Sequence, residues 1–318
     1  MQVIVASDYG SLRLARMDIP VPAPEPGELL VRVCASALNP ADYKVVIGEF
    51  KFLNARNYPL VLGYDFSGTI EKTGSENSAF RAGDEVFGFL PYDPVKRRGA
   101  FGELVVARES EISRKPSAVS HLQAAAAATP GSTALQGLRN SGQLATGKNI
   151  LITGASGGVG SIAIWIANAS GAHVTAVGSG AGLEQARKLG ASQLIDRECE
   201  SVFLSEFGPF DLVFDAAAAY RWRQWSPHLS RRGAYVTTMP SLDFAVDKLT
   251  SLLTKTSAQW VQVAPRAADL EQLGIWLSSG LSIPIDSVIS PGDIATGLER
   301  LRQGKVLGKI AIDFSNGF

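Results

Sequence analysis

The spacing of apolar residues changes once along this chain, near residue 119. Before that point, short apolar runs are separated by turn residues. ELLVRVCASAL (28–38), LVLGYDFSGTIEKTG (60–74), DEVFGF (84–89) and FGELVVA (101–107) read as strands joined by tight turns. Pro20, Pro22, Pro24 and Pro26 predict an extended connector, because each ring removes an amide donor and crowds the preceding helical turn. This half predicts a small, mostly β barrel or sandwich. After residue 119, short apolar strands alternate with stretches that are apolar at helical spacing. NILIT (149–153), HVTAV (173–177), QLID (193–196), DLVFDA (211–216), AYVTT (234–238) and WVQV (260–263) are the strand candidates. GSIAIWIANAS (160–170) and GLEQARKLG (182–190) are helix candidates, and AAAAA (124–128) is helix built from small residues. Alternating strand and helix predicts a parallel sheet covered on both faces, a doubly wound fold. PIDSVI (284–289) and KIAIDF (309–314) flank a last helix and are expected to return to the β-rich part. The expected domains are therefore 1–118 with 284–318, and 119–283.

Composition sharpens this picture mainly by exclusion. Thirty basic residues balance thirty acidic ones among 318, so no long-range attraction to nucleic acid or an anionic membrane is expected. Lys96-Arg97-Arg98 reads as a local anion patch or, in preference, as a solvated loop. No apolar run approaches the ~20 residues of a membrane span, and MQVIVASDYG does not read as a secretory leader. Two cysteines, Cys34 and Cys199, cannot build a disulfide framework and suit a reducing compartment, so a cytoplasmic protein is expected.

The most informative motif is NILITGASGGVGSIAIWIA (149–167). An apolar strand runs through Gly154-Ala155-Ser156-Gly157-Gly158-Val159-Gly160 into an apolar-striped helix. Glycines there permit the tight turn and a close approach of backbone to a pyrophosphate at the positive end of the helix. Set between strand and helix, the loop predicts dinucleotide binding. The next strand ends in Gly178-Ser179-Gly180, without the carboxylate that would accept from the ribose hydroxyl of NAD. A small hydroxyl residue leaves room for a 2′-phosphate, and Arg197 either pairs with that phosphate or is a solvated loop residue. NADPH is the expected cofactor. The loop also fits the glycine pattern of short-chain dehydrogenases, but the one Tyr-x-x-x-Lys match, Tyr92 to Lys96, precedes the loop and contains Pro94.

Taken in order, SALNPADYKVVIG (36–48), LGYDFSGTIEKTG (62–74), FRAGDEVFGF (80–89), AAAAATPGSTALQGL (124–138), ITGASGGVGSIAIWIA (152–167), RKLGASQLID (187–196) and LGKIAIDF (307–314) resemble the medium-chain dehydrogenase/reductases, in their quinone and enone oxidoreductase branch. The resemblance spans nearly the whole chain. It implies an α/β fold with a GroES-like β-rich catalytic domain from both chain ends, a central Rossmann domain, a cleft between them, and a homodimer or homotetramer. Zinc-dependent members use Cys and His ligands. The matching positions here are Asn39 and Tyr64, and no four-cysteine lobe exists, so no metal is expected. His121, His173 and His228 lie outside those motifs.

Hydride transfer to a quinone or an activated double bond needs positioning, desolvation and a donor or cation near the oxygen that gains charge. The resemblance places Asn39, Lys44 and Tyr64 at that site. Each has an alternative: Asn39 as a helix cap, Lys44 on cofactor phosphate or carboxamide, Tyr64 as a packed aromatic. Asp42 is read either as site residue or as stabiliser of the helix N-terminus. For the cofactor, the pattern carries over to Thr133, Ser156, Gly157, Gly158, Val159, Gly160, Ser179, Thr238, Met239, Gly308 and Lys309. It departs at Gly180-Ala181, where many NADPH-using relatives carry Lys or Arg. Phe50, Phe52, Tyr58 and Tyr92 are candidates for the substrate wall, whereas Trp222 and Trp225 are expected to pack. The expected function is a zinc-independent, NADPH-dependent reductase of a quinone or enone; the alternative is a low-turnover NADPH-binding protein with a structural or regulatory role.

Overall fold

A computed structural model describes residues 1–8, 10–49, 59–92, 98–199, 201–203, 208–240, 243–315 and 317; Phe50, Phe52, Tyr58, Lys96 and Arg97 lie outside these described residues. The chain divides into two compact units, Met1–Thr129 with Ala264–Phe318, and Pro130–Val263. In chain order, the elements are β1 (Gln2–Ala6), β2 (Leu14–Asp18), β3 (Glu28–Ala37), α1 (Pro40–Ile47), β4 (Leu60–Val61), β5 (Asp65–Thr73), β6 (Glu85–Phe89), β7 (Leu104–Arg108), β8 (Ile112–Arg114) and α2 (His121–Asn140). Then follow β9 (Asn149–Thr153), α3 (Gly158–Ala169), β10 (His173–Gly178), α4 (Ala181–Lys188), β11 (Gln193–Asp196), β12 (Phe210–Asp215), α5 (Trp222–Trp225), β13 (Leu229–Thr237), α6 (Phe244–Ser251) and β14 (Ser257–Trp260). The chain ends with α7 (Ala267–Ser278), β15 (Ile285–Ile289), α8 (Ile294–Arg302) and β16 (Lys309–Asp313).

The first unit is β-rich. One small sheet runs β2-β1-β4, and a larger one runs β15-β16-β3-β5-β6-β8 with β7 also paired to β3. The apolar run 60–74 does not form one strand. Gly63 adopts φ 92°, and a Cβ built there would lie 2.2 Å from the Phe101 ring, so the chain turns between β4 and β5. Alternate residues of β3, β5 and β6 bury Val31, Val33, Phe66, Ile70 and Val86 in one core, which Ile310 and Ile312 of β16 complete. The register matters for function. Ala37 at the end of β3 lies opposite Asp65 on β5 and Ala311 on β16, which sets residues 38 and 39 between the starts of two neighbouring strands.

The second unit holds a sheet in order β11-β10-β9-β12-β13-β14, parallel throughout. The chain enters at β9, winds outward through β10 and β11, then returns to build β12 to β14 on the other side. This is the doubly wound Rossmann arrangement, and its strand order reverses between β9 and β12, where ligands bind beyond the carboxyl ends of strands. Trp222 and Trp225 are buried in this unit's core beside Phe210 and Tyr235. β14 forms at Ser257–Trp260 rather than over WVQV, because register is set by pairing with Ala234–Thr237 of β13. Backbone bonds from Val261 N–H to Thr237 O and from Arg232 N–H to Lys255 O extend the pairing at its two ends. The helix that holds the alanine run begins at His121 and continues through Pro130 to Asn140.

Candidate active site

In the second unit, the site is built by glycine. Gly154 leaves β9 with φ 66°, and Gly157 caps α3 with its amide donated back to Gly154 O at 2.9 Å. Gly160 lies in the first turn of α3, where an added Cβ would stand 2.1 Å from Gly154 O. Only glycine lets helix and turn approach this closely. Ser156 to Val159 are half-buried at the helix start, where backbone amides lack helical partners and the dipole favours an anion. Beside them opens a recess lined by Thr153, Gly154, Ser156, Val177, Gly178, Ser179, Arg197, Ala217, Ala219 and Tyr220. Ser156, Ser179 and Arg197 thus line one recess. Asp196, at the end of β11, accepts the Glu198 amide at 3.0 Å. Thr238 lies nearby in sequence to β13, and its hydroxyl donates to Ala216 O at 3.3 Å, while the Met239 amide approaches the Thr237 hydroxyl at 3.4 Å. Thr133 is buried in α2.

Gly308 and Lys309 belong to the first unit. Gly308, at φ 95°, would place a Cβ 2.1 Å from Pro284 O. The Lys309 ammonium is buried and has three acceptors for its three protons: Leu38 O at 2.6 Å, Asn39 Oδ1 at 2.6 Å and Asp65 Oδ2 at 3.4 Å. Burial pulls its pKa down, opposed chiefly by the Asp65 charge. Asp65 also accepts from Asn39 Nδ2 at 2.8 Å and from the Thr129 amide at 2.9 Å, just before Pro130. Asn39 is the N-cap residue of α1 by position, and its side chain is engaged by Asp65 and Lys309. Asp42 Oδ2 accepts the Asn39 amide at 2.7 Å. Lys44 pairs with Glu49 at 3.0 Å. The Tyr64 and Tyr92 rings stack at a tilt, with centroids 4.3 Å apart. Burial and the nearby Asp42 charge push the Tyr64 phenol well above its usual range, so it stays an O–H donor.

Asp42 is fully buried, its Oδ1 lacks a hydrogen-bond partner among the described residues, and burial, with the Asp65 charge, pushes its pKa up to about 7. An ordinary aspartate titrates near 3.8, so folding favours the protonated form. That contribution is fully present below about pH 4 and is lost as pH rises through about 7, with a slope of up to about 1.4 kcal/mol per pH unit. Asp42→Asn is expected to flatten this limb, measured as urea midpoints at pH 5 and pH 8. An equally steep fall in the variant would reject the assignment.

These residues do not suit a catalytic zinc. The positions that would ligate it are an amide already bound to an ammonium and a phenol held protonated, and a cation there would meet the Lys309 charge. Among the described residues, no group of three or more His, Cys, Asp or Glu is arranged to hold a metal ion. Local sequence reasoning missed Asp65, Tyr220 and Asp215. Asp65 and Asp215 carried a local signal, each a carboxylate at the end of an apolar strand segment.

Two family descriptions match the chain: an alcohol dehydrogenase GroES-like domain over residues 25–117 and a zinc-binding dehydrogenase over 189–312. A chloroplast envelope quinone oxidoreductase homolog of Arabidopsis thaliana is 30% identical over 317 residues, covering 96% of this chain and 95% of the relative. A 2-methylene-furan-3-one reductase of Solanum lycopersicum is 30% identical over 316 residues, covering 96% and 77%. The solved quinone oxidoreductase of Coxiella burnetii superposes with a TM-score of 0.91 at 30% identity, over 98% of this chain and 99% of that one. With a GroES-like unit, a glycine-built Rossmann unit and relatives of this kind along its whole length, the chain belongs to the quinone oxidoreductase branch of the medium-chain dehydrogenase/reductases.

Proposed function

We propose that this chain is an NADPH-dependent reductase that reduces a quinone, or the activated double bond of an α,β-unsaturated carbonyl, without zinc. One observation carries the cofactor reading: the rim of the glycine cradle offers Ser179, Arg197 and Tyr220, donors and a cation, to an adenosine ribose. Such an edge suits a 2′-phosphate better than a bare 2′-hydroxyl. The amides from Ser156 to Gly160 would hold the pyrophosphate, with Thr133, Thr238 and Met239 toward the nicotinamide. Bound NADPH supplies the hydride. In this reading Tyr64 donates to the oxygen that gains charge, and Lys309 holds Asn39 in place rather than touching cofactor. Lys44 pairs with Glu49 just past the end of α1. The substrate class rests on relatives named for quinones and for an enone. No described helix is long and apolar enough to cross a membrane; the cytoplasmic assignment rests on cysteine usage, and the expectation of no nucleic-acid partner rests on charge balance.

The test follows NADPH oxidation with a panel of quinones, acyclic enones and 2-alkenals, with NADH in parallel. Turnover with saturated-ketone product identifies double-bond reduction, and turnover confined to quinones identifies quinone reduction. NADPH binding with silence across the panel would instead support the low-turnover binding protein.

A homodimer or homotetramer is part of the same proposal. Val246, Leu249, Leu252 and Leu253 are exposed on and just after α6, and Trp260 is exposed on β14, an edge strand. Apolar surface of this kind is commonly covered by a partner. Leu249→Glu with Leu253→Glu is expected to lower the mass seen by analytical ultracentrifugation at micromolar concentration; an unchanged mass would place the interface elsewhere.

A further inference from the structure

Asp215 ends β12 with no solvent exposure, and four donors converge on it. Oδ1 accepts from the Thr153 hydroxyl at 2.5 Å and the Ala219 amide at 3.3 Å. Oδ2 accepts from the Tyr220 amide at 2.9 Å and the Tyr235 hydroxyl at 2.8 Å. The Tyr235 oxygen also lies 2.7 Å from the Tyr220 carbonyl, so its single proton is shared between two acceptors. Both backbone polar groups of Tyr220 are thereby gripped, the amide by Asp215 and the carbonyl by Tyr235. The turn leading to it is strained. Ala218 takes φ 50°, a conformation that a residue with a Cβ keeps only when its surroundings impose it. Tyr220 itself lines the recess with Ser179 and Arg197, and its phenol lies within the field of the Arg197 charge.

We propose that Asp215, through Tyr235, is a positioning residue that presents Tyr220 beside Arg197, and that Tyr220 thereby determines preference for a dinucleotide bearing a 2′-phosphate. This inference rests on the dinucleotide reading of the second unit. A phenol kept protonated is a donor, and its bond to an ionised phosphate oxygen is about twice as strong as one to a neutral ribose 2′-hydroxyl. The Asp215 cluster does no chemistry; it fixes where one ring stands.

Fluorescence titration of NADPH and of NADH onto the full chain, without any acceptor, tests the idea independently of turnover. Tyr220→Phe removes only the phenolic oxygen and is expected to weaken NADPH about tenfold while leaving NADH within about twofold. Tyr235→Phe releases the Tyr220 carbonyl and is expected to shift the same ratio in the same direction. The double variant should be no worse than the stronger single one, since both act through one contact. Equal weakening of both nucleotides, or a lowered melting temperature with an unchanged ratio, would make the cluster merely structural and overturn the inference. Equal affinity of the unaltered protein for the two nucleotides would overturn it as well. Failure of the unaltered protein to bind either one would overturn the dinucleotide reading itself.

Discussion

Replacing Gly160 by valine is expected to abolish NADPH binding while leaving most of the chain folded. Even one methyl at this position would stand 2.1 Å from Gly154 O and 2.7 Å from the Gly154 carbonyl carbon. The obstacle is backbone, so no side chain can swing aside. The first turn of α3 would have to retreat from the end of β9, carrying the Ser156 to Val159 amides off the line on which an anion is held. Overpacking of this kind costs about 1–3 kcal/mol in stability. The loss of binding is expected to be larger, about 100-fold or more in Kd, because several amides move together and a 1 Å misplacement already costs heavily at a pre-organised site. Gly157→Ala makes the control. Its Cβ would meet only Gly154 O, at 3.4 Å, so the packing survives, and the melting curve separates the cost of alanine at the N-cap from lost ligand approach. NADPH fluorescence titration and a melting curve measure both terms. Undiminished binding by Gly160→Val would mean that the helix start is not where the cofactor phosphates sit.

How far the sequence carries this picture depends on whether the determinant is local. NILIT and QLID correspond residue for residue to β9 and β11, because a parallel strand, buried as β9 is or at the edge as β11 is, is a short apolar run whose ends are marked by polar or glycine residues. The glycine loop is local too, since its function depends on backbone freedom at consecutive positions. Where the fold depends on distant partners, the pattern misleads or falls silent. WVQV is the more apolar run, yet the strand forms three residues earlier because β13 dictates the register. Gly63 divides 60–74 because the Phe101 ring leaves no room for a Cβ, and that ring is far along the chain. Pro130 would ordinarily stop a helix, and α2 nonetheless runs past it. The Asn39 group shows the same limit at the level of chemistry. Asp65 and Lys309 are separated by most of the chain and meet only because β5 and β16 flank the end of β3. A resemblance could put Lys309 in a motif, but only the sheet order shows that its ammonium is consumed there. The Asp215 cluster is similar, joining the ends of β9, β12 and β13.

The same buried group yields the largest stability effect. Lys309→Met keeps the stem volume and deletes the charge. Asp65 then retains only the Asn39 Nδ2 and Thr129 donors, and Asn39 Oδ1 and Leu38 O lose theirs. Removing one partner of a buried pair leaves an uncompensated charge, which costs about 3–5 kcal/mol. Asp65→Asn alone strands the ammonium in turn and is expected to cost a similar amount. The double variant removes both charges and keeps an amide that can still receive the Thr129 proton, so it should be more stable than the sum of the two losses predicts, by about 2 kcal/mol or more. Urea unfolding of the four proteins at one pH measures that coupling. If Lys309→Met costs less than about 1 kcal/mol, the ammonium is not paired as described, and Asn39 would regain an oxygen able to face substrate. A large coupling would fix the opposite conclusion: the cation that steadies the Asn39 amide is supplied by the chain itself, and the position that resembles a metal ligand is held by Lys309.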